Sequence, residues 1–222
     1  MPRRFVEQRR RDPYYRAAQR EGLRSRAAFK LAHLAEHYPI FGTGDRVLDL
    51  GAAPGGWSLV AADLIGPSGE VVAVDPRGIE PIEGVTVVHG RVGDPRLVDR
   101  LGGRPFDVVL SDMSPAISGA YATDHARSVA LAESALTLAE ALLRGNGRFV
   151  AKVFEGDLVG SLDARGRGRF RKWIHTKPPA SRASSSELYV IGLGFQGRGR
   201  PRPRPPGPSE GPGADDPGLP VG

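Results

Sequence analysis

The stretch Asp49-Leu-Gly-Ala-Ala-Pro-Gly-Gly-Trp57 is the first place in this sequence where residue types and spacing could do chemistry. An apolar run feeds into it, and its small residues let backbone approach a ligand while the helix that follows offers free N–H groups. The next apolar run ends on Asp75, where an acid can hydrogen-bond the hydroxyls of a bound ribose. A tight turn without a ligand carries the same signature, so the loop alone leaves both readings open. The loop is not G-x-G-x-x-G, which disfavours a dinucleotide, and it lacks the Gly-Lys-Ser/Thr ending of a P-loop. Far downstream, Lys152 interrupts the apolar run Phe149-Val-Ala-Lys-Val-Phe154. An unpaired lysine is costly to bury, so it persists there only if it faces a polar cleft or meets acidic partners. The chain has no cysteine, which excludes disulfides, thiolate metal sites and cysteine nucleophiles. No histidine and acid cluster stands out at metal-ligand spacing, and no metal is expected.

These residues need a scaffold, and the apolar pattern supplies one. Buried strands are predicted at 46–50, 70–75, 85–89, 106–111 and 148–154, with two later ones near 170–176 and 187–193. Helices are predicted from about Trp57 to Ile65, from Pro95 to Leu101 with Asp94 as cap, and from Asp124 to Arg144. The last should stop at Gly145-Asn146-Gly147. Strands alternating with helices imply an α/β fold, a mostly parallel sheet with helices on both faces. Ligands then bind beyond the carboxyl ends of the strands.

The formal charge is +6, and it is localised: residues 1–30 carry ten Lys/Arg against three Asp/Glu. A second cluster, 164–182, holds seven Lys/Arg and no acid. Two basic clusters suit a polyanion, although a solvated, solubilising surface has the same composition. Residues 1–22 read as a basic arm, 23–196 as the folded domain and 197–222 as a disordered tail, 15 of whose 26 residues are Pro or Gly. No window approaches the ~18 apolar residues of a membrane span, and the basic N-terminus has no apolar run behind it, so a cytoplasmic protein is expected.

The sequence resembles the FtsJ/RrmJ family of ribose 2′-O-methyltransferases over roughly 23–194. The resemblance rests on Arg24-Ser-Arg-Ala-Ala-Phe-Lys-Leu31, Asp49 to Ser58, Ser111-Asp-Met-Ser-Pro115 with Ser118-Gly119, Lys152-Val-Phe154, and Ser181-Arg-Ala183 leading to Glu187-Leu-Tyr-Val190. It implies a Rossmann-like, seven-stranded methyltransferase sheet whose last strand is antiparallel. It further implies S-adenosylmethionine as cofactor, with contacts from Gly55, Trp57, Asp75 and Asp112. The family's catalytic tetrad falls on Lys30, Asp112, Lys152 and Glu187, with Lys152 as proton acceptor. A free lysine is protonated at neutral pH; burial and a neighbouring cation oppose that charge, whereas carboxylates favour it. The implied partner is RNA, a uridine of the 23S rRNA in the large ribosomal subunit, acted on by a monomer. A transfer-RNA anticodon-loop substrate and a non-catalytic ribosome-assembly role are the alternatives. Other methylations fit less well: the motif after the fourth strand is not the Asn/Asp-Pro-Pro-aromatic of amine methylation, and carbon-5 methylation of pyrimidines uses cysteine.

Two positions depart from the family pattern. Arg91 stands where an acid usually meets the adenine amino group, so that contact is expected to be missing or supplied by Asp94. The usual helix after the fifth strand reads here as Asp163-Ala-Arg-Gly-Arg-Gly-Arg169, where two glycines cost a helix about 1 kcal/mol each. A looser, arginine-rich loop contacting RNA is the expectation.

Overall fold

The computed structural model describes residues 27–179 and 186–197. The basic arm (1–22), the motif residues 24–26 and 181–183, and all of the expected tail but Gly197 lie outside the described residues. The described chain forms helices α1 (Ala27–His37), α2 (Gly56–Ile65), α3 (Leu97–Arg100), α4 (Tyr121–Leu142) and α5 (Val159–Arg169). Its strands are β1 (Arg46–Leu50), β2 (Glu70–Asp75), β3 (Val85–His89), β4 (Phe106–Ser111), β5 (Leu143–Phe154), β6 (Phe170–Thr176) and β7 (Glu187–Phe195). They form one sheet in the order β3-β2-β1-β4-β5-β7-β6. Neighbours are parallel except β7, which runs antiparallel to both β5 and β6. The predicted α/β architecture, with its one antiparallel strand, is what forms. Among the described residues no helix is long and apolar enough to cross a membrane.

Apolar side chains leave the sheet on both faces because helices cover both. Leu48, Val72, Val109, Phe149, Ala151 and Val153 pack against α4 and α5. Val47, Val71, Val108, Leu110 and Val150 face the opposite way, toward Leu31 and Leu34 of α1 and Ala61 and Ile65 of α2. Side chains alternate along a strand, so Lys152, two residues after Val150, points to the α1 side. That alternation aims the lysine at the helix that carries Lys30.

Several boundaries differ from the sequence expectation. Helix α4 starts three residues early, at Tyr121, and yields to β5 at Leu143, before the Gly-Asn-Gly turn. The turn lies inside the start of β5: Phe106 pairs with Leu143 and Val108 already with Arg148, so the surplus residues bulge out with Asn146 at φ 65°. Helix α3 is shorter than expected, although the Asp94 carboxylate does accept the Arg96 N–H at 2.9 Å.

The larger correction concerns α5. Residues 159–169 are helical, not a loose loop, and tertiary contacts outweigh the low propensity of two glycines. A Cβ on Gly166 would stand 2.4 Å from the Trp173 ring, so the missing side chain is what lets β6 close onto the helix. The Trp173 indole donates to Asp163 at 2.8 Å, and Arg165 makes two bonds of 2.9 Å to Glu140. Burial would raise the Glu140 carboxyl, but Arg165 and Arg169 outweigh it and hold the group below its usual range. Three of the arginines expected to reach RNA are therefore engaged: Arg165 and Arg169 with Glu140, and Arg167 with Asp163.

Candidate active site

Strand β1 is buried along its whole length and delivers the chain to Gly51 at the carboxyl edge of the sheet. Gly51 has φ 74°, and a Cβ there would meet Met113 Cγ at 2.5 Å, so glycine is needed both for the turn and for close approach to the loop after β4. The loop is tied to β2 by the Ala53 N–H, which donates to Asp75 Oδ2 at 3.0 Å. Gly55, at φ 105°, turns the chain into α2. In front of these elements lies a cleft of about 580 Å³ bounded by Gly51, Asp75, Gly90, Arg91, Asp112 and Met113. A recess of about 130 Å³ beside Asp49 and Trp57 adjoins it, sharing Gly51, Ala53 and Asp112. The expected cofactor residues Asp75 and Asp112 line the cleft, and Trp57 lines the recess. Gly55 shapes the turn without lining either. Arg91 lines the cleft, whereas Asp94 is held at the start of α3 and does not.

Arg77, which the sequence reading did not single out, lies across the cleft mouth. Its backbone N–H and Nε donate to Asp75 Oδ1 at 2.8 and 3.1 Å, and a terminal nitrogen donates to the Ala53 carbonyl at 3.1 Å. Burial alone would raise the Asp75 carboxyl; the Arg77 bonds and the Ala53 N–H outweigh it and hold the group below its usual range. Asp49 is in the opposite condition. It is wholly buried, and its Oδ1 has no hydrogen-bond partner among the described residues. Burial pushes it up to about 7, against the bond of 2.6 Å that Ser58 donates to Oδ2 and with help from the Asp112 and Asp75 carboxylates. An acid inside the apolar strand Arg46–Leu50 was the signal that could have found it.

The four residues of the expected tetrad come together beside the recess. Lys152 Nζ stands 3.0 Å from Asp112 Oδ1, 2.9 Å from the Asp112 carbonyl and 4.0 Å from Glu187 Oε1. Lys30, on α1, forms an ion pair with Glu187 Oε2. Two lysine side chains thus alternate with two acidic ones, and both lysines are only 5% exposed. Antiparallel pairing makes this possible, because it sets Lys152 against Tyr189 and Phe154 against Glu187. A parallel β7 would start at the far edge of the sheet. Tyr189 completes the group: its hydroxyl donates to Asp112 Oδ1 at 3.2 Å, and its ring lies 5.7 Å below Lys30 Nζ. Lying two residues after Glu187 on a strand, it was findable from period-2 spacing. The Trp57 indole donates to the Ala27 carbonyl at 2.8 Å and packs on Tyr189 at 5.8 Å, pinning the start of α1 so that Lys30 reaches the sheet edge.

His33, Glu36 and His37 also form a cluster of side chains able to ligate a metal, at the i, i+3, i+4 spacing of one helix face. The sequence reading overlooked this cluster. It lies on α1 outside the tetrad.

With this geometry in view, comparison with known proteins is specific. A family model for FtsJ-like methyltransferases matches residues 23–195. The chain is 46% identical over 190 residues to the ribosomal RNA large subunit methyltransferase E of Methanosarcina barkeri, covering 84% of this chain and 72% of that protein. It is 48% identical over 188 residues to the protein of the same name from Syntrophobacter fumaroxidans, covering 82% and 95%. Among solved structures, a ribosomal RNA methyltransferase from Plasmodium falciparum superposes with a TM-score of 0.69 at 26% identity, covering 79% of this chain and all of that one.

Proposed function

The chain belongs to the FtsJ-like methyltransferase family, and from that membership we propose that it methylates a ribose 2′-hydroxyl of large-subunit ribosomal RNA. It is an S-adenosylmethionine-dependent RNA methyltransferase. The observation that carries the finer reading is the assembled tetrad at the rim of the cleft: Lys152 within 3.0 Å of Asp112, and Lys30 paired with Glu187.

The residues present fit the cofactor. Asp75, at the end of β2, would take the ribose hydroxyls in place of Arg77, and Gly51 admits backbone-close contact. Asp112 supplies negative charge toward the recess, which suits a cationic methionine moiety, and the unpartnered Oδ1 of Asp49 beside it is a free hydrogen-bonding atom. Adenine would lie against the wall that includes Val92 and Met113, with Arg91 where the family's acid usually stands. S-adenosylmethionine, when bound, supplies an electrophilic methyl on a sulfonium.

The protein's own task is to prepare the nucleophile. A 2′-hydroxyl attacks poorly until its proton leaves, and a positioned base contributes about 10²–10⁴-fold. Lys152 would take that proton at Nζ, leaving the 2′-oxygen able to accept the methyl group that the cofactor would supply. Asp112 and Glu187 orient Nζ, and both stabilise the ammonium that results. Lys30 holds Glu187 in place and offsets the second carboxylate. Acting on 23S rRNA of the large ribosomal subunit as a cytoplasmic monomer completes the reading.

The test is to incubate the purified protein with methyl-labelled S-adenosylmethionine and large-subunit rRNA from a strain lacking the gene, then to map 2′-O-methyl nucleotides by mass spectrometry. One methylated ribose in that RNA is expected. Label only in transfer RNA would move the substrate assignment, and label in neither, from a folded and cofactor-binding protein, would favour an assembly factor without catalysis.

A further inference from the structure

We propose that Ile117, Tyr121 and Leu158 form a platform beside the tetrad on which a nucleobase of the substrate RNA stacks. This rests on the reading that the target ribose sits at Lys152. Three of the six large apolar side chains exposed among the described residues are these, at 68, 63 and 51%. Leu158 is distant in sequence from the other two, and the Tyr121–Glu155 and Leu158–His125 hydrogen bonds bring its loop beside the start of α4. Ile117 lies between β4 and α4, Tyr121 opens α4, and Leu158 precedes α5. All three therefore lie beyond the strand ends that carry Asp112 and Lys152.

The surface is built and held. The Tyr121 hydroxyl donates to the Glu155 carbonyl at 2.6 Å, and the Glu155 N–H donates to the Ser186 carbonyl at 2.8 Å, directly before Glu187. One face of the Tyr121 ring lies nearly parallel to His125, at 9° and 5.9 Å between centroids. The His125 Nε2 accepts the Leu158 N–H at 3.1 Å, which couples the second loop to the first. Asp124 accepts bonds from the Ser118 N–H at 2.9 Å, the Ser118 hydroxyl at 2.7 Å and the Gly119 N–H at 3.1 Å, fixing the loop that presents Ile117. An aromatic ring clamped by its hydroxyl and backed by an imidazole has already lost the freedom that binding would otherwise remove.

The occupant follows from the neighbouring chemistry. The platform continues the cleft wall through Ser114, Pro115 and Ala116. A nucleotide whose 2′-hydroxyl reaches Lys152 must direct its own base or a neighbour's outward along this rim. Single-stranded RNA is recognised by stacking unpaired bases on aromatic side chains, a contact indifferent to sequence. An exposed apolar surface at that place suits a base, whereas phosphates would need cations.

The test measures binding of oligoadenylate 12-mers, and of ribose-phosphate 12-mers lacking bases, to the full-length protein. Stacking is worth about 1–3 kcal/mol per base, so Tyr121→Ala should weaken oligoadenylate binding about 5- to 150-fold and leave the abasic oligomer unchanged. Cofactor affinity should not change. Tyr121→Phe should retain most of the affinity, since the ring remains, and Ile117→Ser, on an exposed loop, should show a smaller loss without risk to folding. Equal losses on both oligomers, or no loss with either Tyr121→Ala or Ile117→Ser, would overturn the platform. So would variants that bind oligoadenylate normally but no longer co-sediment with ribosomal subunits, which would assign the surface to a protein contact. If the wild-type protein transferred no methyl to large-subunit rRNA, the functional reading itself would fail, independently of these ratios.

Discussion

Replacing Lys152 by alanine separates catalysis from stability, and the structure sets the scale of each. Removing a partner from a fully buried ion pair costs about 3–5 kcal/mol, because a lone charge stays behind. Here the remaining groups are better placed. Asp112 keeps the Tyr189 hydroxyl at 3.2 Å, Glu187 keeps Lys30, and both carboxylates are about one-fifth exposed on the cleft side. Water entering the vacated volume can solvate them, so the expected loss of stability is about 1–3 kcal/mol. That is a few degrees in Tm for a chain of this size. The catalytic loss is expected to be about 10²-fold or more in single-turnover rate, at least roughly 2.7 kcal/mol on the barrier. Single-turnover methylation with labelled cofactor and large-subunit rRNA measures the rate. Calorimetry with S-adenosylmethionine and a thermal melt on the same sample show whether the variant is folded and loaded. A folded Lys152→Ala protein that binds cofactor and methylates at near wild-type rate would refute the assignment of the proton acceptor, and with it the reading of the tetrad.

Three further outcomes follow from particular residues. Asp49, pushed up to about 7 from 3.8, holds its proton in the folded state at pH values where the unfolded chain has lost it. Its contribution to stability is complete below about pH 4, declines as pH rises toward 7 and is gone above, on the order of 4 kcal/mol in all. Asp49→Asn should therefore flatten the decline between pH 4 and 7 in urea unfolding, and identical pH profiles for the two proteins would refute it. In α5, Gly166→Ala should destabilise by about 1–3 kcal/mol because its Cβ would meet Trp173 at 2.4 Å, whereas Gly168→Ala, with nothing within 4 Å, should stabilise by up to about 1 kcal/mol. Paired denaturant curves check this, and a stabilising Gly166→Ala would contradict the packing argument. Replacing Arg3, Arg4, Arg9, Arg10 and Arg11 by serine should weaken RNA binding and reduce its salt dependence by at most about 0.7–0.9 log unit per lost contact, with cofactor affinity unchanged. An unaltered salt slope would mark the arm as a solubilising extension.

The α5 arginines show how composition misleads when position is ignored. The charge cluster at 164–182 invited an RNA-contacting loop, yet Arg165 and Arg169 are spent on Glu140 and Arg167 on Asp163. Those acids lie 25 residues back in α4 and within α5 itself, and nothing in the local pattern announces the pairing with Glu140. Arg91 does reach the cleft, as its place after β3 implied, while Asp94 serves its own helix start instead of substituting for the missing acid.

Local patterns were enough to determine the order of the strands and of three of the five described helices along the chain, the glycine turn after β1, the edge of the sheet where ligands bind, and the places of Asp112 and Lys152 near that edge, whereas the tetrad itself came from the family resemblance. These are properties of short windows, where alternation and turn residues act on the backbone directly. The meeting of Lys30 with Glu187 spans 157 residues and depends on α1 folding over the sheet, on the Trp57 bond to Ala27, and on β7 entering antiparallel. Likewise, Gly166 reads as a helix breaker in sequence and as a packing requirement once Trp173 lies against it. Asp49 is an ordinary acid by composition, and only closure of the sheet and α2 around it removes the water that would keep its carboxyl near 3.8. Desolvation and long-range pairing arise from the packed chain as a whole, so the tertiary structure alone decided them.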